Sequence, residues 1–300
     1  MRLRYDIVDV FTDRPFAGNQ LAVVHGADDL TTEQCRRLAQ EFGYSETTFP
    51  GSRVTDGREY TTRIFTPEHE IPFAGHPTLG TAWVLHQAGR LTTEDATQVC
   101  GAGSVGVRFG DGLVELAATP RDLVGPLAAD LARDVLRTVG LTLADLSGQA
   151  YVAGCGLSFV HVPVTEEAVL RAVPAARPFG RLGERLAAAG PVEDLIDAVN
   201  VYAVSGEAPR LTVHSRVFVP GVGVPEDPAT GSAAAGLGMV LAASGHLPEG
   251  GRYDVSQGVE MGRPSLLHGR IQATGGRPER CYVAGRVQPV ASGEIAVPPA

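Results

Sequence analysis

Apolar and polar positions along this chain follow two periods, and their succession lays out the elements. Tyr5 to Val10 alternates as a half-buried strand does, and the continuous apolar run Leu21 to Val24 suits a buried one. Between them, Asp13-Arg14-Pro15-Phe16-Ala17-Gly18-Asn19 is rich in turn formers. From Thr31 the period lengthens to that of a helix reaching Phe42; Gln34 completes a capping box and Gly43 supplies the stop. Tyr44 to Phe49 alternates again, which places Glu46 just past a helix end at the edge of the expected core. An exposed strand glutamate is the plain reading of that position. Tyr60 to Phe65 reads as a strand, followed by a meander of Gln98 to Cys100, Val105 to Phe109 and Leu113 to Ala117, with Gly110-Asp111-Gly112 as a hairpin turn.

The second half repeats the theme. Residues 129–140 and 165–172 have helical spacing, and Gly156-Leu157-Ser158 leads into an apolar strand, Phe159 to Val164, the counterpart of Leu21 to Val24. Pro174 to Pro178 reads as a loop, and residues 179–199 as a surface helical region broken near Gly190-Pro191. Val201 to Ser205 and Leu211 to Val219 are strands. Tyr253 to Gln257, Ser265 to Thr274 and Cys281 to Pro289 give a β finish.

Two stretches break the amphipathic rule. Leu79 to Leu85 and Ala233 to Ala243 are apolar nearly all round, so each predicts a helix buried on every side. They belong to an internal repeat. Glu70 to Leu91 and Glu226 to Leu247 match at eight of 22 positions when the chain is shifted by 156. Arg63-Ile64-Phe65-Thr66-Pro67 leads into the first copy and Arg216-Val217-Phe218-Val219-Pro220 into the second. Two copies at so long a period mean two similar half-domains. Each copy reads as strand, tight turn and helix. Gly75 and Gly231 are expected to supply permissive backbone at the turn, His76 or Ser232 to sit near the N-cap, and Gly89 and Gly245 to end the helices. Free N–H groups at the two helix N-termini, converging where the halves meet, would suit a carboxylate. The side chains at the two turns differ, as those of a site between two halves would; an ordinary helix cap is the plain alternative.

Composition narrows the rest. Three hundred residues suit two domains, with a boundary expected at Thr119-Pro120: residues 1–118, joined by a final strand at about 288–300, and residues 119–287. A net charge of −9 with no basic cluster points away from nucleic acid. No apolar run is long enough to span a bilayer as a helix, and Met1 to Arg4 does not open a signal-peptide core. Cys35, Cys100, Cys155 and Cys281 are scattered without a C-x-x-C pair, which favours a reducing cytoplasm and no structural zinc. Glu68-His69-Glu70 reads as a solvated turn, and no metal site is expected.

These motifs, taken in order, resemble the PhzF-like family of phenazine biosynthesis, a branch of the diaminopimelate-epimerase fold. The matching residues are Phe11 with Pro15-Phe16-Ala17-Gly18-Asn19, Ser45-Glu46-Thr47, Arg63 to Pro67, Pro72 with Gly75-His76-Pro77-Thr78-Leu79-Gly80, Glu226 to Ala233, and Gln257-Gly258 with Gly262-Arg263-Pro264-Ser265. Gln20 departs from the proline frequent in the family. The resemblance implies an α+β fold of two pseudo-symmetric halves, each a central helix wrapped by a strongly curved, mostly antiparallel sheet, usually in a homodimer. It implies a cofactor-free isomerase that moves a proton and a double bond in a dihydro-hydroxyanthranilate. Glu46, His76 and Asp227 match its catalytic side chains, with Ser45, Asn19, Gly75, Gly231 and Ser232 as substrate contacts. An isomerase of another unsaturated amino or imino acid, such as a pyrroline carboxylate, and a non-catalytic binding protein on the same fold are the alternatives. Two-thiol epimerase chemistry is excluded, because the turns hold Ala74 and Thr230 where it requires cysteines.

Overall fold

The computed structural model describes residues 1–174, 177–192, 196–220 and 224–299. The chain divides into two compact units: Met1–Ala117 with Ala284–Ala300, and Ala118–Val283. No helix among the described residues is long and apolar enough to cross a membrane.

In the N-terminal unit, β1 (Arg2–Val10) pairs antiparallel with β2 (Asn19–Val24). Helix α1 (Thr32–Phe42) follows, capped by Thr31 and Gln34 and ended by Gly43 in the left-handed region, as the local sequence signals dictate. It returns the chain so that β3 (Thr47–Thr55) runs parallel to β2, through Ala22↔Thr47 and Val23↔Thr48. β4 (Glu59–Phe65) pairs antiparallel with β3 and carries the two-residue β5 (Glu70–Ile71). Helix α2 (Gly75–Gln87) then crosses to β6 (Asp95–Cys100), which runs parallel to β4. β7 (Gly103–Gly110) and β8 (Leu113–Ala118) close a hairpin through Asp111 and Gly112, both at positive φ.

The C-terminal unit repeats this order. β9 (Asp122–Val124), α3 (Ala129–Thr138), β10 (Tyr151–Gly154), β11 (Ser158–Pro163), α4 (Glu166–Arg171) and α5 (Arg181–Ala187) come first. β12 (Val199–Glu207), β13 (Arg210–Val219), β14 (Val224–Asp227), α6 (Gly231–Ala243), β15 (Gly251–Gln257), β16 (Ser265–Thr274) and β17 (Arg277–Gly285) complete it. Its strands join as β9–β10–β11–β12–β13–β15–β16, with β11–β12 and β13–β15 parallel. The N-terminal unit gains the matching order only at the end of the chain, where β18 (Val287–Ala296) pairs antiparallel with β1 and takes the place that β9 holds beside β10. The fold is thus α+β with a mixed, chiefly antiparallel sheet, the same design twice.

Both repeat helices are buried on all sides, as their patterns predict: Leu79, Ala82, Val84 and Leu85 in α2, and every residue from Ala233 to Ala242 in α6. Helix α2 touches β1, β2, β3, β6, β7 and β18, strands from both ends of its unit's order, so the sheet curls around it. Helix α6 packs on β10, β11 and β16. A second core in the C-terminal unit joins Val135, Leu136, Val160, Val199, Val201 and Phe218 on the α3–α4 side.

Several expectations need correction. The helix N-caps are Ala74 and Thr230, so His76 and Ser232 stand one residue inside the helices. The left-handed glycines of the repeat are Gly89 and Gly245 at the helix ends; Gly75 and Gly231 begin the helices and need no positive φ. Tyr44 to Glu46 precede β3 and do not belong to it. Among the described residues of 179–199, helix is confined to α5, with Gly190-Pro191 beyond its end and β12 beginning at Val199. Residues 175–176 of the 174–178 loop and residues 193–195 lie outside the described residues.

Candidate active site

In the N-terminal unit the chain reaches Glu46 through a tight sequence of constraints. Gly43 ends α1 with φ of 67°, and Tyr44 and Ser45 bring the chain to the start of β3. Thr47 is fully buried beside Ala22, so the residue before it enters the core's edge. Glu46 keeps 18% of its side-chain surface, and its Oε2 lies 3.5 Å from Nε2 of His76. Neither Glu46 Oε2 nor the Thr47 hydroxyl has a hydrogen-bond partner among the described residues, although both atoms are sealed from solvent. Such atoms are rare in folded proteins and tend to mark functional positions. Burial pushes the Glu46 carboxyl above its ordinary pKa, and the adjacent Ser45 side chain offsets part of that rise.

His76 owes its place to the start of α2. The N-cap residue, Ala74, offers no side-chain cap, so the first-turn N–H groups have none from that position. The turn is held instead by a buried relay. Tyr60 Oη donates to Gln98 Oε1 at 3.0 Å, Gln98 Nε2 donates to Thr78 Oγ1 at 2.8 Å, and Thr78 Oγ1 donates to the Ala74 carbonyl at 2.8 Å. Asn19, buried, opens β2 at the same end of the sheet as Glu46, because β2 and β3 run parallel. The loop before it is fastened by the buried Asp9, whose Oδ2 accepts the Phe16 N–H at 2.7 Å. The structure therefore brings Glu46 and His76 into proximity, with Ser45 beside them in the chain and Asn19 on the neighbouring strand.

In the C-terminal unit, Asp227 ends β14, the turn runs through Pro228 to Thr230, and α6 starts at Gly231 with Ser232 second. Thr230 gives α6 no side-chain cap; its hydroxyl donates to Asp227 Oδ2 and accepts from Gln257 Nε2. Gln257, at the end of β15, holds the same turn: Nε2 donates to the Asp227 carbonyl at 2.8 Å and to Thr230 Oγ1 at 3.0 Å. Its Oε1 accepts the Thr230 N–H at 3.2 Å. Sequence reading quoted Gln257 within a motif without giving it a task. The residue lies 27 positions from Thr230, and only the parallel β13–β15 pairing brings it there.

Strand registers show what the two units share. Thr47↔Phe65 and Val199↔Phe218 are equivalent pairs, so Glu46 corresponds to Ala198. In the repeat, His76 corresponds to Ser232 and Ile71 to Asp227. The supports are common and the reactive groups are not. Arg63 makes a bidentate pair with Glu70 at 2.8 and 2.6 Å, and Arg216 pairs with Glu226 at 2.8 Å on both oxygens. Each guanidinium also lies over the phenylalanine two residues on, 4.9 Å from Phe65 and 5.1 Å from Phe218. Among the described residues no three His, Cys, Asp or Glu side chains come close enough to hold a metal.

Known proteins are similar to this chain in sequence and in fold. The family described as phenazine biosynthesis-like protein, PhzC-PhzF, matches residues 8–293. A Pseudomonas chlororaphis protein named trans-2,3-dihydro-3-hydroxyanthranilate isomerase is 36% identical over 94% of this chain and 95% of its own. A Pseudomonas aeruginosa structure described as a predicted epimerase is 30% identical, with a TM-score of 0.79, covering 98% of this chain and 99% of its own. The fold is also that of a Bacillus anthracis phenazine biosynthesis protein of the PhzF family: TM-score 0.84, 23% identity, 99% of this chain and 100% of the other covered. A family match over nearly the whole length, on a chain whose two half-domains keep their supports and differ in their reactive groups, places this protein in the PhzC-PhzF phenazine biosynthesis-like family.

Proposed function

We propose that this chain is a cofactor-independent isomerase of a small cyclic unsaturated amino acid, with trans-2,3-dihydro-3-hydroxyanthranilate as the first substrate to test. The observation that carries the reading is the Glu46 carboxyl beside His76, its Oε2 sealed from solvent and its pKa raised by burial. An allylic shift needs one group that takes a proton from a C–H bond and gives it back to another carbon. As that C–H bond breaks, its electron pair becomes a new double bond; the old one moves and accepts the proton at its far carbon. Nothing is oxidised or reduced. A carboxyl in surroundings that favour the neutral form suits this cycle, since it holds the proton between the two transfers. In this reading Glu46 carries the proton and His76 orients the polar groups of the substrate. Asp227 holds its amino group, and Ser232 with the uncapped amides of α6 holds its carboxylate.

The test is proton NMR of the reaction in deuterated water, with wild type beside Glu46→Gln. Double-bond migration with deuterium at the new position, lost in the variant while the substrate still binds, is the expected result. Turnover that survives in Glu46→Gln would remove Glu46 from the chemistry. The proposal extends to a cytoplasmic homodimer, in keeping with four free cysteines, three of them buried, and sedimentation at twice 31.4 kDa is its check.

A further inference from the structure

Gln257 stands out among the buried polar side chains of the C-terminal unit. It is 1% exposed, and its amide spends both ends on one turn, the turn that presents Asp227. The direction of these bonds matters. Thr230 Oγ1 accepts from Gln257 Nε2, so its own proton is free to go to Asp227 Oδ2. The amide thereby sets the rotor of the hydroxyl, and the hydroxyl sets the carboxylate. The next residue supports the same arrangement. Gly258 lies at φ 72°, and a Cβ there would fall 2.6 Å from the Pro228 carbonyl oxygen and 3.0 Å from Pro228 Cα. Backbone and side chain together grip the turn from Asp227 to Thr230.

The other unit supplies the control. Strand register makes Thr97 equivalent to Asp254, hence Gly101 to Gly258 and Cys100 to Gln257. Gly101 presses on Pro72, where a Cβ would lie 2.8 Å from Cα, so the glycine–proline contact is common to both units. The glutamine clamp is not. Cys100 offers only a thiol, which reaches the Gly103 carbonyl at 3.6 Å. The turn it adjoins carries Ile71 where the other carries Asp227. The N-terminal turn has its own buried relay, Tyr60 to Gln98 to Thr78 to the Ala74 carbonyl, which ends on backbone. The Gln257 clamp differs in ending, through Thr230, on a carboxylate.

We propose that Gln257 is a positioning residue that fixes Asp227 through Thr230; this rests on the reading of Asp227 as part of the isomerase site. The test compares wild type, Gln257→Met, Asp227→Asn and the double variant in turnover of trans-2,3-dihydro-3-hydroxyanthranilate. Methionine keeps the volume and loses the three hydrogen bonds. We expect Gln257→Met to lower kcat about 10–100-fold, with KM changed less than about threefold, as misplacement of a reacting group does. In the Asp227→Asn background the same change adds no further loss, which a packing role would not produce. A second readout needs no activity: amide hydrogen exchange at Thr230 quickens in Gln257→Met, because its acceptor is gone. Full kcat in Gln257→Met beside an inactive Asp227→Asn overturns the clamp and leaves the Asp227 reading standing. Full activity in Asp227→Asn overturns that reading and, with it, the aim assigned to the clamp. If the substrate is not turned over at all, unchanged exchange at Thr230 overturns the clamp by itself. Should Gln257→Met not fold, Gln257→Glu keeps the size, removes the donor to the Asp227 carbonyl and Thr230 Oγ1, and carries the same kcat outcomes. It keeps an acceptor for the Thr230 N–H, so exchange there is not its readout.

Discussion

Burial makes the folded chain bind the Glu46 proton more tightly than the unfolded chain does, and that preference links catalysis to stability. Because the folded pKa lies above the ordinary 4.5, the stability Glu46 contributes is fully present below about that pH. It is lost as pH rises through the folded value. Glu46→Gln cannot ionise and escapes the loss. Above pH 4.5 the variant should therefore melt higher than wild type, by about 2–4 °C for each kcal/mol relieved in a domain of this size, with the gap closing toward pH 4. Scanning calorimetry across pH checks it, and equal melting curves at neutral pH would count against a desolvated Glu46. Little of this was legible in the sequence, where the alternation from Tyr44 to Phe49 suited an exposed strand equally well. The burial comes from the parallel pairing of Thr47 with Ala22, a contact between segments separated by a helix. Gln257 was illegible for the same reason.

Helices α2 and α6 show what was legible and why. Their buried character, their terminal glycines and the capping box of α1 are local properties, written in neighbouring residues. The short strands β9, β10 and β14 are not; they exist because a partner strand offers its edge, and their sequences carry too few residues to show a period. One identity in the repeat, Gly80 with Gly236, gains its explanation only from packing. A Cβ at Gly80 would stand 2.6 Å from Leu21 Cδ2 and 2.9 Å from Val10 Cγ2. One at Gly236 would stand 2.9 Å from His161 Nε2 and 3.0 Å from the Ala153 carbonyl oxygen. Both glycines let a helix lie against an equivalent strand pair, β1 and β2 in one unit, β10 and β11 in the other. Side chains can shift at Gly80, but at Gly236 the obstacle includes backbone and the bond from His161 to Ala153. His161 is neutral there, its pKa pushed down to about 3 by burial, and Asn200 donates to its other nitrogen. Gly236→Ala should cost about 1–3 kcal/mol by urea unfolding, and Gly80→Ala less; the reverse order would refute this account of the packing.

At the scale of the whole molecule, the repeat predicted two half-domains, and the structure shows how the chain divides between them. The C-terminal unit is one continuous segment, Ala118–Val283, whereas the N-terminal unit takes one strand, β18, from beyond that segment. Arg2 to Val10 pairs with Val287 to Ala296 along its full length. Removing residues 286–300 leaves β1 as an open edge and strips Ile295 and Val297 from the core around Leu3, Leu38 and Phe65. The truncated chain should lose amide protection in β1 and β2 while β12, β13 and β15 keep theirs, a contrast that hydrogen exchange with peptide resolution measures.

The late arrival of β18 also sets a timetable. On the ribosome, residues 1–117 are made before the C-terminal unit yet secured after it, because β18, the partner of β1, is made later still. The segment from Ala118 to Val283 is continuous, and β9 to β16 pair among themselves within it, so they can settle during synthesis. Residues 1–117 wait, with one side of β1 unpaired, until translation has passed the whole of the C-terminal unit and delivers β18. The unit that carries Glu46 and His76 is begun before its counterpart and finished after it.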